Sequence, residues 1–439
     1  MSAHFEQLWH EIERAGGVDA YVTQQMVSKG FVVARRPTDN MSSKELERYK
    51  KELKAEAAEK RNIKHTTWQA YRSQHIVHLG TGIYWSDDHS ADRWDLIDAE
   101  KRLVDNQLPV LHNAKQLAEA LKLSIGQLRG LCYHREAALD TQYQRFEIPK
   151  RSGGQREIWA PRPVLKHAQR WILRNLLDQM LVHGAAHGFM AGRSIATHAA
   201  QHGHSQLLVK VDIKDFFPSV SWRRIKGVFR HAGYHEQVAT LLALLCTESP
   251  RQIVQHEGKT YYVALADRCL PQGAPTSPAL TNILCLRLDR RLTGIAQKLG
   301  WRYSRYADDL TFSFPVGQPS PDVAHLLGSL QRILTDEGFR LHPDKTHIVR
   351  ASARQEITGL VVNGDHPPRV CRQQKRQLRA AIHNLKQGKP LPEGESLQRM
   401  EGYAAFIAMT DATLGRKMLD ELRVIRAASS TVSTLTPLT

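Results

Sequence analysis

Short apolar runs alternate with longer stretches of helical period along most of this chain. "QLLVKVDI" (206–213) and "YYVAL" (261–265) are rich in β-branched and aromatic side chains and short enough to be strands. "SPALTNILCLRLDRRLTGIAQKLG" (277–300) spaces its apolar residues as one face of a helix. The interleaving begins near Tyr143 and predicts one large α/β or α+β body, with no internal repeat.

The pattern differs at both ends. "SSKELERYKKELKAEAAEKRN" (42–62) places Leu46, Tyr49, Leu53 and Ala57 at helical spacing among many Lys and Glu, which predicts an exposed, weakly amphipathic helix. "HIVHLGTGIYWSDD" (75–88) is a short apolar run punctuated by glycine, and "NAKQLAEALKLSIGQLRGLCYH" (113–134) predicts a helix opening a more regular region. Residues 366–430 read as helical and begin with the basic "RVCRQQKRQLRAAIHNLKQGK" (369–389). The expected organisation is an N-terminal helical extension (1–111), a large central body (112–365), a helical appendage (366–430) and a disordered Ser/Thr tail (431–439).

Charge narrows the class of partner. The 439 residues include 61 Lys and Arg against 44 Asp and Glu, a formal net charge of +17, which favours a polyanion such as nucleic acid or an anionic membrane surface. No run approaches the roughly 18 apolar residues of a membrane span. The opening "MSAHFEQLWHEIERAGG" lacks the basic-then-apolar order of a signal peptide, so a cytoplasmic location is expected. The five cysteines are scattered and never paired as Cys-x-x-Cys, so neither a disulfide framework nor a thiolate zinc site is indicated.

Against this background "RYSRYADDLTFSF" (302–314) is anomalous, because two adjacent carboxylates, Asp308 and Asp309, interrupt a strand-like run. A hairpin with the acids at or near its turn fits the alternation on either side. Carboxylates so close resist ionising together unless a cation neutralises them, and an oxygen-rich acidic site suits Mg²⁺. A third acid, Asp212, lies 96 residues before Asp308 at the end of another apolar run. If the two segments pair, Asp212, Asp308 and Asp309 form a site for two Mg²⁺ ions.

With "VDIKDFFPS" (211–219), "LPQGAPTSPALTN" (270–282) and "YADD" (306–309) in this order and spacing, the chain resembles the reverse transcriptases. "FEIPKRSGGQREIWAPRPVLKHAQRWIL" (146–173) resembles the fingers motif and "HGFMAGRSIATHA" (187–199) the one that follows. "GFRLHPDKTHI" (338–348) and "ITGLVVN" (357–363) resemble the later palm motifs. The form of the motifs is most similar to bacterial retron enzymes of the longer, myxobacterial type, with "HAAQH" (198–202) and "ITG" (357–359) at positions that family uses to recognise its RNA.

The resemblance implies a right-hand polymerase fold with fingers, an antiparallel palm sheet and a helical thumb, preceded by an extra helical region. It implies an RNA-directed DNA polymerase with Asp212, Asp308 and Asp309 as metal-binding catalytic acids and Lys345 assisting the leaving pyrophosphate. Lys150, Arg156 and Gln272 would position the dNTP, Phe217 would exclude a ribose 2′-hydroxyl, and His202, Ile357, Thr358 and Gly359 would contact RNA. The implied partners are a structured non-coding RNA, its DNA product (msDNA, primed from a guanosine 2′-hydroxyl) and an effector protein in anti-phage defence. Two alternatives stand beside this reading: a non-retron bacterial reverse transcriptase, from a mobile intron or another defence system, and a non-catalytic RNA-binding scaffold.

Overall fold

The computed structural model describes residues 3–85, 97–149, 153–391 and 394–433. The chain divides into two compact units, one comprising Met1–Leu79 with Ala114–Gly130, the other Gly80–Asn113 with Leu131–Thr439.

The first unit contains three helices before residue 80: α1 (Ala3–Arg14), α2 (Val18–Ser28) and α3 (Ser43–Gln74). A reciprocal capping box starts α3, with Ser42 Oγ accepting from Glu45 N and Ser42 N donating to the Glu45 carboxylate at 2.9 Å. The helix runs twelve residues past the end of its charged run, because neither Gly nor Pro interrupts the chain before Gly80. The single helix expected over 113–134 is instead two, Ala114–Ala120 and Ile125–Cys132. Lys122 between them takes φ +57°, and Ser124 and Gln127 cap the second helix reciprocally at 2.9 and 3.2 Å.

The second unit is organised around an antiparallel sheet of four strands. In spatial order they are Arg302–Tyr306, Asp309–Pro315, Ser205–Asp212 and His347–Arg350. Helix Leu286–Lys298 packs on the first strand and on helix Val323–Asp336, burying Leu288, Leu292, Leu326, Leu330 and Leu334. A two-stranded hairpin, Tyr143–Pro149 with Gln155–Pro161, carries the fingers motif.

Three helices, Arg372–Lys386, Leu397–Ala408 and Ala412–Ser433, follow the sheet. Their apolar faces meet Ile357, Leu360 and Val362 in one buried cluster with Leu378, Ile382, Met400 and Leu422. The final helix continues to Ser433, so residues 431–433 of the expected disordered tail are helical, and 434–439 lie outside the described residues. The five cysteines are free, four of them buried. No helix among the described residues is long and apolar enough to cross a membrane.

Candidate active site

Strand Ser205–Asp212 runs beside Asp309–Pro315 in a register that places Asp212 directly opposite Asp309. Directly opposed residues of an antiparallel pair share one face of the sheet with Cα atoms about 4.5–5.5 Å apart. Asp308 lies in the two-residue turn Ala307–Asp308 between the acidic strand and Arg302–Tyr306, and its carbonyl accepts from Ile213 N at 3.0 Å. Two adjacent acids and a third 96 residues before them therefore converge at one end of the sheet.

Their surroundings explain their electrostatics. Burial first, and then the charge of Asp212, raises the Asp308 carboxyl above its ordinary range. Burial and the neighbouring Asp308 push Asp309 up to about 6. Lys345 Nζ donates to Asp212 Oδ2 at 3.0 Å, Arg156 lowers the Asp308 value, and Lys210 lowers that of Asp309. These cations fall short of balancing the mutual repulsion. Among the described residues no three Asp, Glu, His or Cys side chains close into a ready ligand cage. The donor set is nonetheless of the hard, anionic oxygen type that magnesium takes, with positions left for water and substrate phosphate, so the residues fit that ion.

A buried network holds the turn from behind. Arg305 is fully buried, and its guanidinium donates to both carboxylate oxygens of Asp289 (2.9 and 2.7 Å), to Asn282 Oδ1 (3.0 Å) and to Ala307 O in the turn itself (3.1 Å). Tyr303 adds a bond to Asp289 at 2.8 Å, and Asn282 Nδ2 donates to Gly188 O at 2.9 Å. Ala307 adopts φ +56°, an unfavourable backbone for a residue with a Cβ, so surrounding contacts must hold it there. Gly188 approaches so closely that a Cβ would stand 2.7 Å from Ala307 N. Sequence reasoning missed Arg305, Asp289, Asn282 and Gly188; a lone acid, Asp289, on the apolar face of its helix was the available signal.

The remaining predicted residues divide. Phe216 is buried and Phe217 half-exposed, both in a turn after Asp212. Phe217 faces Phe189 at 6.5 Å between ring centroids, and Phe189 lies 6.4 Å from Tyr306, an aromatic set that the sequence reading missed. Gln272 is anchored through its carbonyl, which accepts from Trp159 N at 2.7 Å. Gly273 beside it, at φ +119°, leaves no room for a Cβ against Trp159 O. Arg156 is exposed on the fingers hairpin, while Lys150 lies outside the described residues.

Of the four residues expected to contact RNA, two are buried. His202 is fully buried, with Nδ1 2.7 Å from Ser313 Oγ and Nε2 2.6 Å from Ser304 Oγ. Burial holds its pKa well below the ordinary value, so the neutral ring donates one bond and accepts the other, pinning neighbouring strands beneath the sheet. His202→Ala should destabilise the fold by about 1–3 kcal/mol through the stranded serine hydroxyls, read as a lower Tm with template affinity unchanged. Ile357 is likewise core, packed in the cluster beneath the three terminal helices. Thr358 and Gly359 form the turn of the Glu356–Ile357 and Leu360–Val361 hairpin and are half-buried, with φ +45° and +86°.

Comparison with known proteins agrees with this geometry. The family model for reverse transcriptase (RNA-dependent DNA polymerase) matches residues 148–379. The chain is 49% identical to the retron Mx162 reverse transcriptase of Myxococcus xanthus, over 95% of this chain and 89% of that protein. It is 40% identical to the retron Mx65 enzyme of the same organism, over 72% of each chain. With the retron Ec86 reverse transcriptase of Escherichia coli the identity is 30%, over 72% of this chain and 91% of that one. With its right-hand polymerase fold and these relatives, the chain belongs to the retron reverse transcriptases and is an RNA-directed DNA polymerase.

Proposed function

We propose that this enzyme copies a structured non-coding RNA into single-stranded DNA at Asp212, Asp308 and Asp309. The observation carrying the reading is the pairing of Asp212 with Asp309 across two strands, with Asp308 in the adjoining turn. Two Mg²⁺ held by these acids would lower the pKa of the attacking primer hydroxyl and stabilise charge on the phosphates. The chain's own groups do the rest. Arg156, on the hairpin over the site, meets the triphosphate, and Gln272, fixed by its backbone bond to Trp159, orients the nucleotide. Lys150 is assigned to the triphosphate by its motif alone. Lys345, whose Nζ donates to Asp212 Oδ2 at 3.0 Å, is positioned to assist the departing pyrophosphate.

Phe217 selects the sugar. Its half-exposed ring, braced by Phe189 and Phe216, occupies the space a ribose 2′-hydroxyl would need. Phe217→Ala should raise the ratio of ribonucleotide to deoxynucleotide kcat/KM by about tenfold or more, measured by single-nucleotide extension.

The raised carboxyl of Asp309 sets a pH dependence. Metal binding must displace any proton it carries, so Mg²⁺ affinity is expected to fall as pH drops through about 6. Titrating MgCl₂ at pH 8.0 and pH 5.5 should show a higher half-saturating concentration at the lower pH. Equal values would argue against Asp309 as a ligand.

We further infer that synthesis starts from a guanosine 2′-hydroxyl of the enzyme's own RNA, giving msDNA, and that the product acts with an effector protein in anti-phage defence. The similarity to the retron Mx162 and Mx65 enzymes supports this reading. Nucleic acid co-purified with the protein should contain a 2′,5′-branched species that a debranching enzyme resolves. Its absence from an active preparation would overturn the priming assignment.

A further inference from the structure

The second half of α3 has no place in the polymerase chemistry, yet its surface is specialised. None of the 32 residues of α3 is buried. In its first half the apolar stripe of Leu53 and Ala57 faces a groove lined by Phe31, Val32 and Val33. That covering ends at Lys64, whose Nζ lies 3.3 Å over the Phe31 ring, and the same helical face continues uncovered as Trp68, Tyr71 and His75. Trp68 and Tyr71 are 47% and 48% exposed. Their rings stack at 5.9 Å and 15°, and Tyr71 stacks on His75 at 4.1 Å and 4°.

Charge separates along the helix in the same sense. The first half is mixed, with exposed pairs Arg48–Glu52 and Lys60–Glu56. From Lys60 to Ser86 the sequence contains Lys60, Arg61, Lys64 and Arg72 and no acid. A helix meeting a second copy of itself would carry an apolar seam here, whereas this stripe interleaves cations with stacked rings. That combination suits an anionic backbone whose unpaired bases stack on aromatic faces.

We propose that the Lys64–His75 face of α3 is a docking surface for an unpaired segment of the RNA that this enzyme copies. A base stacks on the end of the Trp68–Tyr71–His75 ladder while Lys64 and Arg72 neutralise neighbouring phosphates. RNA is the partner assigned because the template must be engaged before any DNA exists. The identity of this strand as template rests on the polymerase reading above; the surface itself does not.

The test uses the full-length protein and a fluorescein-labelled, unstructured 20-nucleotide RNA. Trp68→Ala with Tyr71→Ala is expected to weaken binding about tenfold or more, and Trp68→Phe with Tyr71→Phe to restore most of it. Arg72→Gln, at an exposed position, should reduce the slope of log K against log salt by about 1. Extension of oligo(dT) on poly(rA) should proceed at the wild-type kcat in every variant.

Unchanged RNA affinity in the alanine pair overturns the proposal. So does loss of self-association, seen by sedimentation, without loss of RNA binding, which would make the face a protein interface. Weakened binding of single-stranded DNA with RNA binding intact would assign the surface to the product and also refute it. If the wild-type protein fails to extend oligo(dT), the polymerase reading fails while the RNA-binding comparison still decides the surface.

Discussion

Replacing Asp308 and Asp309 together by asparagine is expected to lower DNA synthesis by about a thousandfold or more, roughly 4 kcal/mol on the barrier, while making the fold more stable near neutral pH. The two effects have one origin. Burial and mutual repulsion raise both carboxyls, Asp309 to about 6, above the value near 4 of an unfolded aspartate. A group whose folded pKa is raised costs stability once the unfolded chain would be ionised. The cost is absent below about pH 4, grows between pH 4 and 6, and is complete above 6. Asparagine removes it, so thermal melts in EDTA should show the variant a few degrees more stable than wild type at pH 7.5 and no different at pH 4. A variant that is inactive and also less stable at pH 7.5 would show that the acids are structural. Persistent polymerisation would sink the catalytic assignment.

The second large effect is expected from the buried pair behind the turn. Arg305 and Asp289 are both fully buried, and the guanidinium also ties Asn282 and the carbonyl of Ala307. Removing one partner leaves an uncompensated charge in the interior, so Asp289→Ala should cost about 3–5 kcal/mol of stability, seen in urea titration. Replacing both by apolar residues, Arg305→Met with Asp289→Leu, should recover much of that loss, because a buried ion pair contributes little net stability over well-packed hydrophobes. Polymerase activity should stay low in the double variant. The guanidinium bond to Ala307 O that braces the φ of +56° is then gone, and a shifted turn displaces Asp308 and Asp309 relative to Asp212. Full activity in a stable double variant would reduce the pair to a packing element.

How far the site was legible depended on whether a residue's role follows from its neighbours in sequence. The acids were legible because a charge ending a buried strand, and two charges in a hairpin, demand a compensating partner wherever the chain goes. Phe217 was legible only through its motif, and it lies in a turn with Asp215 at φ +49°. The residues read as RNA contacts were misplaced for one reason. His202 and Ile357 sit in motifs matched by similarity, and a motif does not say which of its residues face inward. Ser304 and Ser313 bury one, and the apolar faces of the three terminal helices bury the other.

The sequence by itself determined the mixed architecture and the three acids, since hydrophobic period and charge placement are local properties that survive any folding route, and its motifs gave the reaction class by resemblance. Tertiary structure alone decided that Asp212 faces Asp309, because strand register is a property of two segments 96 residues apart. It alone decided that Arg305 points inward to brace the turn and that the rings of α3 remain exposed, for burial depends on what the rest of the chain brings alongside each residue.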